Sequence, residues 1–157
     1  MAITTEFLPY EANATALAIM KEFIYSYIDS STLDVLDEFP VLDENFILYK
    51  PILVLEEMPG SKKFAGMGKN INNIDKGQFK NISFYASWII SNDCGGGTRL
   101  RQLADTLEYV FLIHADELSV AGLKKAVCSS LAIIPKTNYS PFWGGRNLLT
   151  ARVLLRY

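Results

Sequence analysis

Ser91-Asn-Asp-Cys-Gly-Gly-Gly97 is the stretch of this chain best equipped for chemistry, because three glycines sit directly before an amphipathic run that begins Thr98-Arg-Leu-Arg. Glycine lets backbone approach a ligand closely, and a helix N-terminus offers unpaired N–H groups to an anion. Arg99 and Arg101 would add positive charge in the first turn. The run lacks the Gly-Lys-Ser/Thr ending of a phosphate-binding loop, however. It also lacks the spaced glycines and following βαβ pattern of a dinucleotide site. The simpler reading is a turn that lets a strand reverse into a helix.

Other reactive side chains do not converge. Cys94 precedes the helical run and His114 follows it, so about 15 residues of helix, on the order of 22 Å, separate them. Cys128 with His114 is not excluded as a pair, but nothing in the sequence orients it. His114 beside a helix end suits contact with the helix dipole or its last carbonyls. Glu56-Glu57 and Asp116-Glu117 are paired carboxylates. Neighbours on one strand point to opposite faces, whereas acid–base work needs two groups in one pocket. With Cys94 and Cys128 the only cysteines and His114 the only histidine, the four ligands of a structural zinc site are not assembled. No catalytic residue, metal ligand or cofactor is assigned, and the sequence speaks against an enzyme.

The loop Tyr139-Ser-Pro-Phe142-Trp143-Gly-Gly-Arg146 is of another kind. Exposed, its Phe142 and Trp143 would form a recognition surface; folded back, they would cap the core. Both readings stay open. The alternation after it is clear. Leu149, Ala151, Val153, Leu155 and Tyr157 fall on one face of a strand, and Leu148, Thr150, Arg152, Leu154 and Arg156 on the other. Chain ends fray unless they are held, so a segment this apolar must pair in a sheet or be held by a neighbouring subunit. Arginine mixed with apolar area is what buried protein interfaces favour.

Charge is divided along the chain. Residues 1–97 carry 7 lysines and 13 acids, a net of −6, while residues 98–157 carry 5 arginines, 3 lysines and 4 acids, a net of +4. The acids gather at Asp34, Asp37, Glu38, Asp43 and Glu44, and the basic end holds Arg146, Arg152 and Arg156. Either these are solvated, unrelated charges, or one subunit's acidic face meets the next one's basic face. Head-to-tail contacts of the second kind generate rings. The overall net of −2 gives no global case for nucleic acid or a membrane surface.

At 157 residues, half of them hydrophobic, the chain is read as a single α+β domain over 1–157. No apolar run reaches the roughly 18 residues that span a bilayer. The N-terminal stretch lacks the basic opening of a secretory signal, so a cytoplasmic protein is expected, with free, half-buried thiols.

The elements that must position these residues follow from periodicity. Leu17, Met20, Ile24 and Ile28, with Phe23 and Tyr27, predict a helix over 12–28. Residues 30–45 read as a polar connection. Pro51 confines the next strand to 52–57. Residues 61–77 have glycines and lysines but no period, and read as a long flexible loop that could hide a hairpin. Ile82, Phe84, Ala86, Trp88 and Ile90 alternate with polar or smaller neighbours in the clearest strand, 79–91. Leu100, Leu103, Leu107, Val110 and Phe111 predict a helix over 98–112. A turn region at 115–123, a weak strand over 127–134 and the final strand complete the order. Two helices on one face of a mostly antiparallel sheet of about four to five strands would bury both stripes.

This layout, closing in an aromatic-and-glycine loop and an arginine-bearing strand, resembles that of tail terminator (tail-completion) proteins of tailed phages of Gram-positive hosts. The likeness is one of order and length over most of the chain. It implies a structural virion protein of the tail or neck, assembled in the host cytoplasm as a ring, usually a hexamer. Such a ring caps the tail tube protein, stops tail polymerisation and joins the head–tail connector protein. It implies that Lys62, Lys63, Lys69 and Lys76 face the lumen or the tube, with weak, sequence-independent contacts to DNA passing through. It further implies subunit contacts through Arg146, Arg152, Arg156 and Trp143 on one side and Asp37 and Glu38 on the other. The alternatives are another neck or minor tail structural protein, or a small enzyme or ligand-binding module using the Gly95–Gly97 turn.

Overall fold

A computed structural model describes residues 12–40, 48–57, 63–64, 69–70, 76–134 and 142–156. Helix α1 (Ala12–Tyr27) is followed by strands β1 (Asp34–Leu36), β2 (Ile52–Glu57), β3 (Lys63–Phe64), β4 (Lys69–Asn70) and β5 (Lys76–Ser91). A 3-10 turn at Asn92–Cys94 leads to α2 (Gly96–Ile113), α3 (Ala115–Val120), β6 (Lys124–Cys128), β7 (Ala132–Ile134) and β8 (Phe142–Arg156).

One sheet carries the molecule. Its main order is β1-β2-β5-β8-β6, with β3 and β4 added to β5 and β7 to β8. The α+β class holds and most pairings are antiparallel, but β1 runs parallel to β2. That strand falls in the stretch read as a connection. It is anchored by its own backbone, since the Val35 N–H donates to the Tyr25 hydroxyl of α1 at 2.8 Å.

The helices pack on one face because both elements offer a matching apolar stripe. Ala16, Met20, Phe23 and Ile24 of α1 and Leu100, Leu103, Leu107, Val110 and Phe111 of α2 are buried. Against them lie Leu53 and Leu55 of β2, the even-numbered residues Ile82 to Ile90 of β5, and Leu149, Ala151, Val153 and Leu155 of β8. Phe23 meets Phe111 edge-to-face, with ring centres 5.3 Å apart. The opposite face has a smaller core of its own at one end, made of Leu48, Ile52, Val54, Ile89 and Phe142. Phe142 is therefore part of the packing.

Three boundaries depart from expectation. The turn region at 115–123 contains α3, opened by Asp116 and Glu117 in its first turn, where acids suit the helix dipole. The strand expected over 127–134 is two strands, β6 and β7, and a register shift between Lys124 and Val127 interrupts β6. Lys125 there has φ 52, as a bulged edge residue can. Within the stretch read as a loop, β3 and β4 pair with Asn81–Lys80 and Gly77–Lys76 of β5.

Candidate functional site

The glycine junction is occupied by the chain's own aromatic side chain. Gly95 and Gly96 have φ 113 and 59, values that L-residues with a Cβ rarely adopt. The backbone thus reverses from β5 through the 3-10 turn into α2. Trp143 lies over it: the indole Nε1 donates to Asn92 Oδ1 at 2.7 Å, and a Cβ at Gly97 would meet the indole ring at 3.2 Å. The folded-back reading of the aromatic loop is the one the geometry takes for Trp143, which packs on Asn92 and Gly97 of its own chain and not, as the resemblance implies, outward as a subunit contact.

The nucleophile candidates remain apart. The Cys94 thiol donates to the Leu48 carbonyl at 3.3 Å. His114 caps the other end of the 18-residue α2, about 27 Å along the axis. Its imidazole stacks on Tyr27, with ring centres 4.0 Å apart and planes 18° from parallel. Glu117 accepts the Tyr27 hydroxyl proton, and this bond, with desolvation and the carboxylate's charge, pushes Tyr27 up to about 12. The set ties α1 to α3. Glu56 and Glu57 stand opposite Tyr85 and Phe84 in register, hence on opposite faces. Among the described residues no group of three or more His, Cys, Asp or Glu side chains is arranged to hold a metal ion.

Burial, with the nearby Glu108 charge second, pushes the Cys128 thiol up to about 12. The thiolate is the reacting form, so at pH 8 its population falls on the order of 1,000-fold below that of a thiol at the ordinary value of 9.0. Alkylation by iodoacetamide, followed peptide by peptide, should leave Cys128 unmodified in the native protein and modify it rapidly in urea. Equal rates in the two states would contradict this environment.

The sheet face away from the helices carries a more ordered arrangement. Arg146 stands opposite Ser87, and Arg152 stands opposite Asn81. Arg146 Nε donates to Ser87 Oγ at 3.4 Å, and its guanidinium lies 4.3 Å from the centre of the Tyr85 ring. Arg152 Nε donates to Asn81 Oδ1 at 3.2 Å, and its guanidinium lies 5.9 Å from the centre of the Phe79 ring. Each arginine thus bonds the polar residue opposite it and covers the aromatic residue two positions earlier in β5. The two shelves are six residues apart, about 20 Å along the strands. The terminal guanidinium nitrogens of both meet no partner among the described residues, so a forked donor is held in place on each shelf. Ser83 and Thr150 lie between the shelves.

The other expected positions are distributed around this frame. Asp37 and Glu38 are exposed just after β1 and form no ion pair with a described residue, whereas Asp34 is bound by Lys50 Nζ at 3.0 Å. Lys63, Lys69 and Lys76 lie on β3, β4 and the start of β5. Arg156 stands opposite Gly77 at the end of β8. Lys62, Asp43 and Glu44 lie outside the described residues.

No protein-family model matches the chain, and no curated protein matches it in sequence.

Sequence reasoning picked out Arg146 and Arg152 but missed what holds them. A signal was present, since Phe79-x-Asn81 and Tyr85-x-Ser87 repeat at six residues, as do the two arginines. Only the register of β5 against β8 shows that the two repeats coincide. No helix among the described residues is long and apolar enough to cross a membrane.

Proposed function

We propose that this chain is a structural subunit of a phage tail, resembling the tail terminators, and that copies close into a ring that caps the tail tube and joins it to the head connector. The observation that supports this reading is the presence, on one chain, of two surfaces of opposite sign. Arg146 and Arg152 present ordered guanidinium groups from β8. Asp37 and Glu38 are exposed beyond the edge strand β1, on the other side of β5. Opposite patches on one chain fit a heterologous contact, which closes into a ring when the rotation allows. An ordered arginine on an aromatic shelf spends less side-chain freedom on binding than a loose surface lysine. The chemistry of the glycine junction favours no competing enzyme reading, because Trp143 fills it.

Light scattering across a salt series tests this. The wild-type chain should show a mass several times that of one chain at low salt, falling as salt screens the contacts. Reversing Arg152 and Arg156 together to Glu should abolish the assembly. A double variant that assembles like wild type would remove the arginine contact. A single-chain mass both alone and with tail-tube ends present would overturn the ring.

A further inference from the structure

The helices cover one face of the sheet, and among the described residues the other face is open over most of its length. Leu148, Thr150, Arg152 and Leu154 of β8 stand on that open face, opposite Tyr85, Ser83, Asn81 and Phe79 of β5. Val127 and Lys124 of the edge strand β6 stand beside Thr150 and Arg152. Phe79 is exposed, Val127 is 56 % exposed, and Leu148 and Leu154 are half-buried. The small core around Leu48, Ile52 and Ile89 covers only the far end. Arg146, Arg152 and Lys124 make the open part positive, against Glu56 of β2, which stands opposite Tyr85. Apolar and cationic side chains therefore share one surface.

The outward stripe of α2 is its counterpart. The stripe opens polar, with Gln102, Asp105 and Thr106 exposed. It closes apolar, with Tyr109, Leu112 and Ile113 exposed by 60 %, 76 % and 51 %. Residues three and four apart are neighbours on a helix surface, so these three side chains form one patch. Single exposed apolar side chains are ordinary, whereas a contiguous patch marks an interaction surface. Asp105 lies one turn before the patch and Asp116 just after it, while Arg99 and Arg101 lie at the start of the helix.

We infer that the outward stripe of α2 docks on the open sheet face of a second copy of the chain, so that the helix lies between two sheets. Charge decides the occupant. Two open sheet faces laid together would bring two positive surfaces into contact, and two α2 stripes would bring acid-flanked patches together. Helix on sheet instead joins apolar area to apolar area and sets Asp105 and Asp116 towards the arginines and Lys124. The two surfaces lie on opposite sides of one subunit, so the contact runs head to tail. The inference rests on the ring reading and deepens it by naming the helix that covers the arginine-bearing face. It needs no contact from Asp37 or Glu38.

Complementation between two defective full-length chains tests the contact. Leu112→Lys spoils the helix side alone, and Val127→Lys the sheet side alone. Both positions are more than half exposed, so melting followed by circular dichroism should be unchanged. Should either variant melt lower, Tyr109→Lys or Thr150→Lys replaces it with the same expectation. Each variant by itself should assemble about tenfold or more weakly than the wild-type chain by sedimentation velocity. Mixed in equal amounts, the two should form a complex of two chains and stop there. The intact helix of the Val127→Lys chain meets the intact sheet of the Leu112→Lys chain, and the faces left over both carry lysine. A contact between like faces would instead leave one of the two variants assembling as the wild type does. That result, or a mixture in which no two-chain complex forms, overturns the helix-on-sheet contact and leaves the ring standing. A wild-type chain that stays single both alone and with tail-tube ends overturns the ring reading and this contact with it.

Discussion

Asn147→Ala should destabilise the folded chain by about 2–4 kcal/mol. Asn147 is fully buried in β8, and its two polar atoms serve different parts of the sheet. Its Oδ1 accepts the indole N–H of the buried Trp88 at 2.7 Å. Its Nδ2 donates to the Ser129 carbonyl at 2.7 Å and lies 3.4 Å from Glu108 Oε1. Truncation leaves the indole N–H orphaned in the core and strips an acceptor of its donor. Each buried group left unsatisfied costs about 1–3 kcal/mol, far more than an average hydrogen bond contributes. For a chain of this size the midpoint of thermal unfolding should fall by roughly 5–15 °C. Trp88→Phe in the Asn147→Ala background removes the orphaned donor, so the two changes together should destabilise less than their sum. A loss below about 0.5 kcal/mol in urea unfolding, the size of an ordinary surface change, would mean that the indole and the Ser129 carbonyl find other partners.

Gly95→Ala should be the most damaging change at the glycine junction, at about 2–4 kcal/mol. A Cβ there would sit 2.5 Å from Arg99 Cβ and 3.0 Å from its Cγ, on a backbone with φ 113. The clash is with the root of a helical side chain, which cannot swing away without moving α2. Gly96→Ala makes the useful contrast. Its φ of 59 is a left-handed value that other residues reach at modest strain, and its nearest neighbours would be 3.4 Å and 3.6 Å away. That variant should lose only about 1 kcal/mol. Equal losses at the two positions would show that conformation dominates over contact with Arg99.

Strong periodicity was legible in the sequence and short or context-dependent structure was not. The stripe of α2, the alternation of β5 and the limit that Pro51 sets on β2 each follow from local residues, and their spans agree with expectation to within a few residues. β1 escaped because three residues in an acidic stretch have no period; they form a strand because β2 offers them a parallel edge. α3 escaped because six residues are too few for a helical stripe, and only Leu118 of them is buried. β8 begins earlier than expected because Gly144 and Gly145 look like a turn. In the sheet, Gly145 makes room for Leu131, whose Cδ1 would lie 2.7 Å from an added Cβ. At the candidate interface the arginines were visible one by one, while the shelves beneath them depend on partners some sixty to seventy residues away in sequence.

The place of β8 in the sheet has a consequence for how the chain matures. β8 lies between β5 and β6, and it pairs with β5 through fifteen residue pairs, from Gly77 with Arg156 to Ser91 with Phe142. About fifty residues separate the inner ends of the two strands. Closing so long a loop precedes the reward of pairing, which makes such contacts slow to form. During synthesis β5 and β6 emerge before the strand that joins them. The nascent chain therefore carries the sixteen-residue β5 with one edge unpaired, and with the apolar stretch Ile82 to Ile90 on one face, until residues 142–156 have been made. An open edge of that length invites pairing with other chains. Slow translation across residues 92–141, or a scarcity of chaperones, should thus lower the yield of soluble protein more than a comparable delay elsewhere.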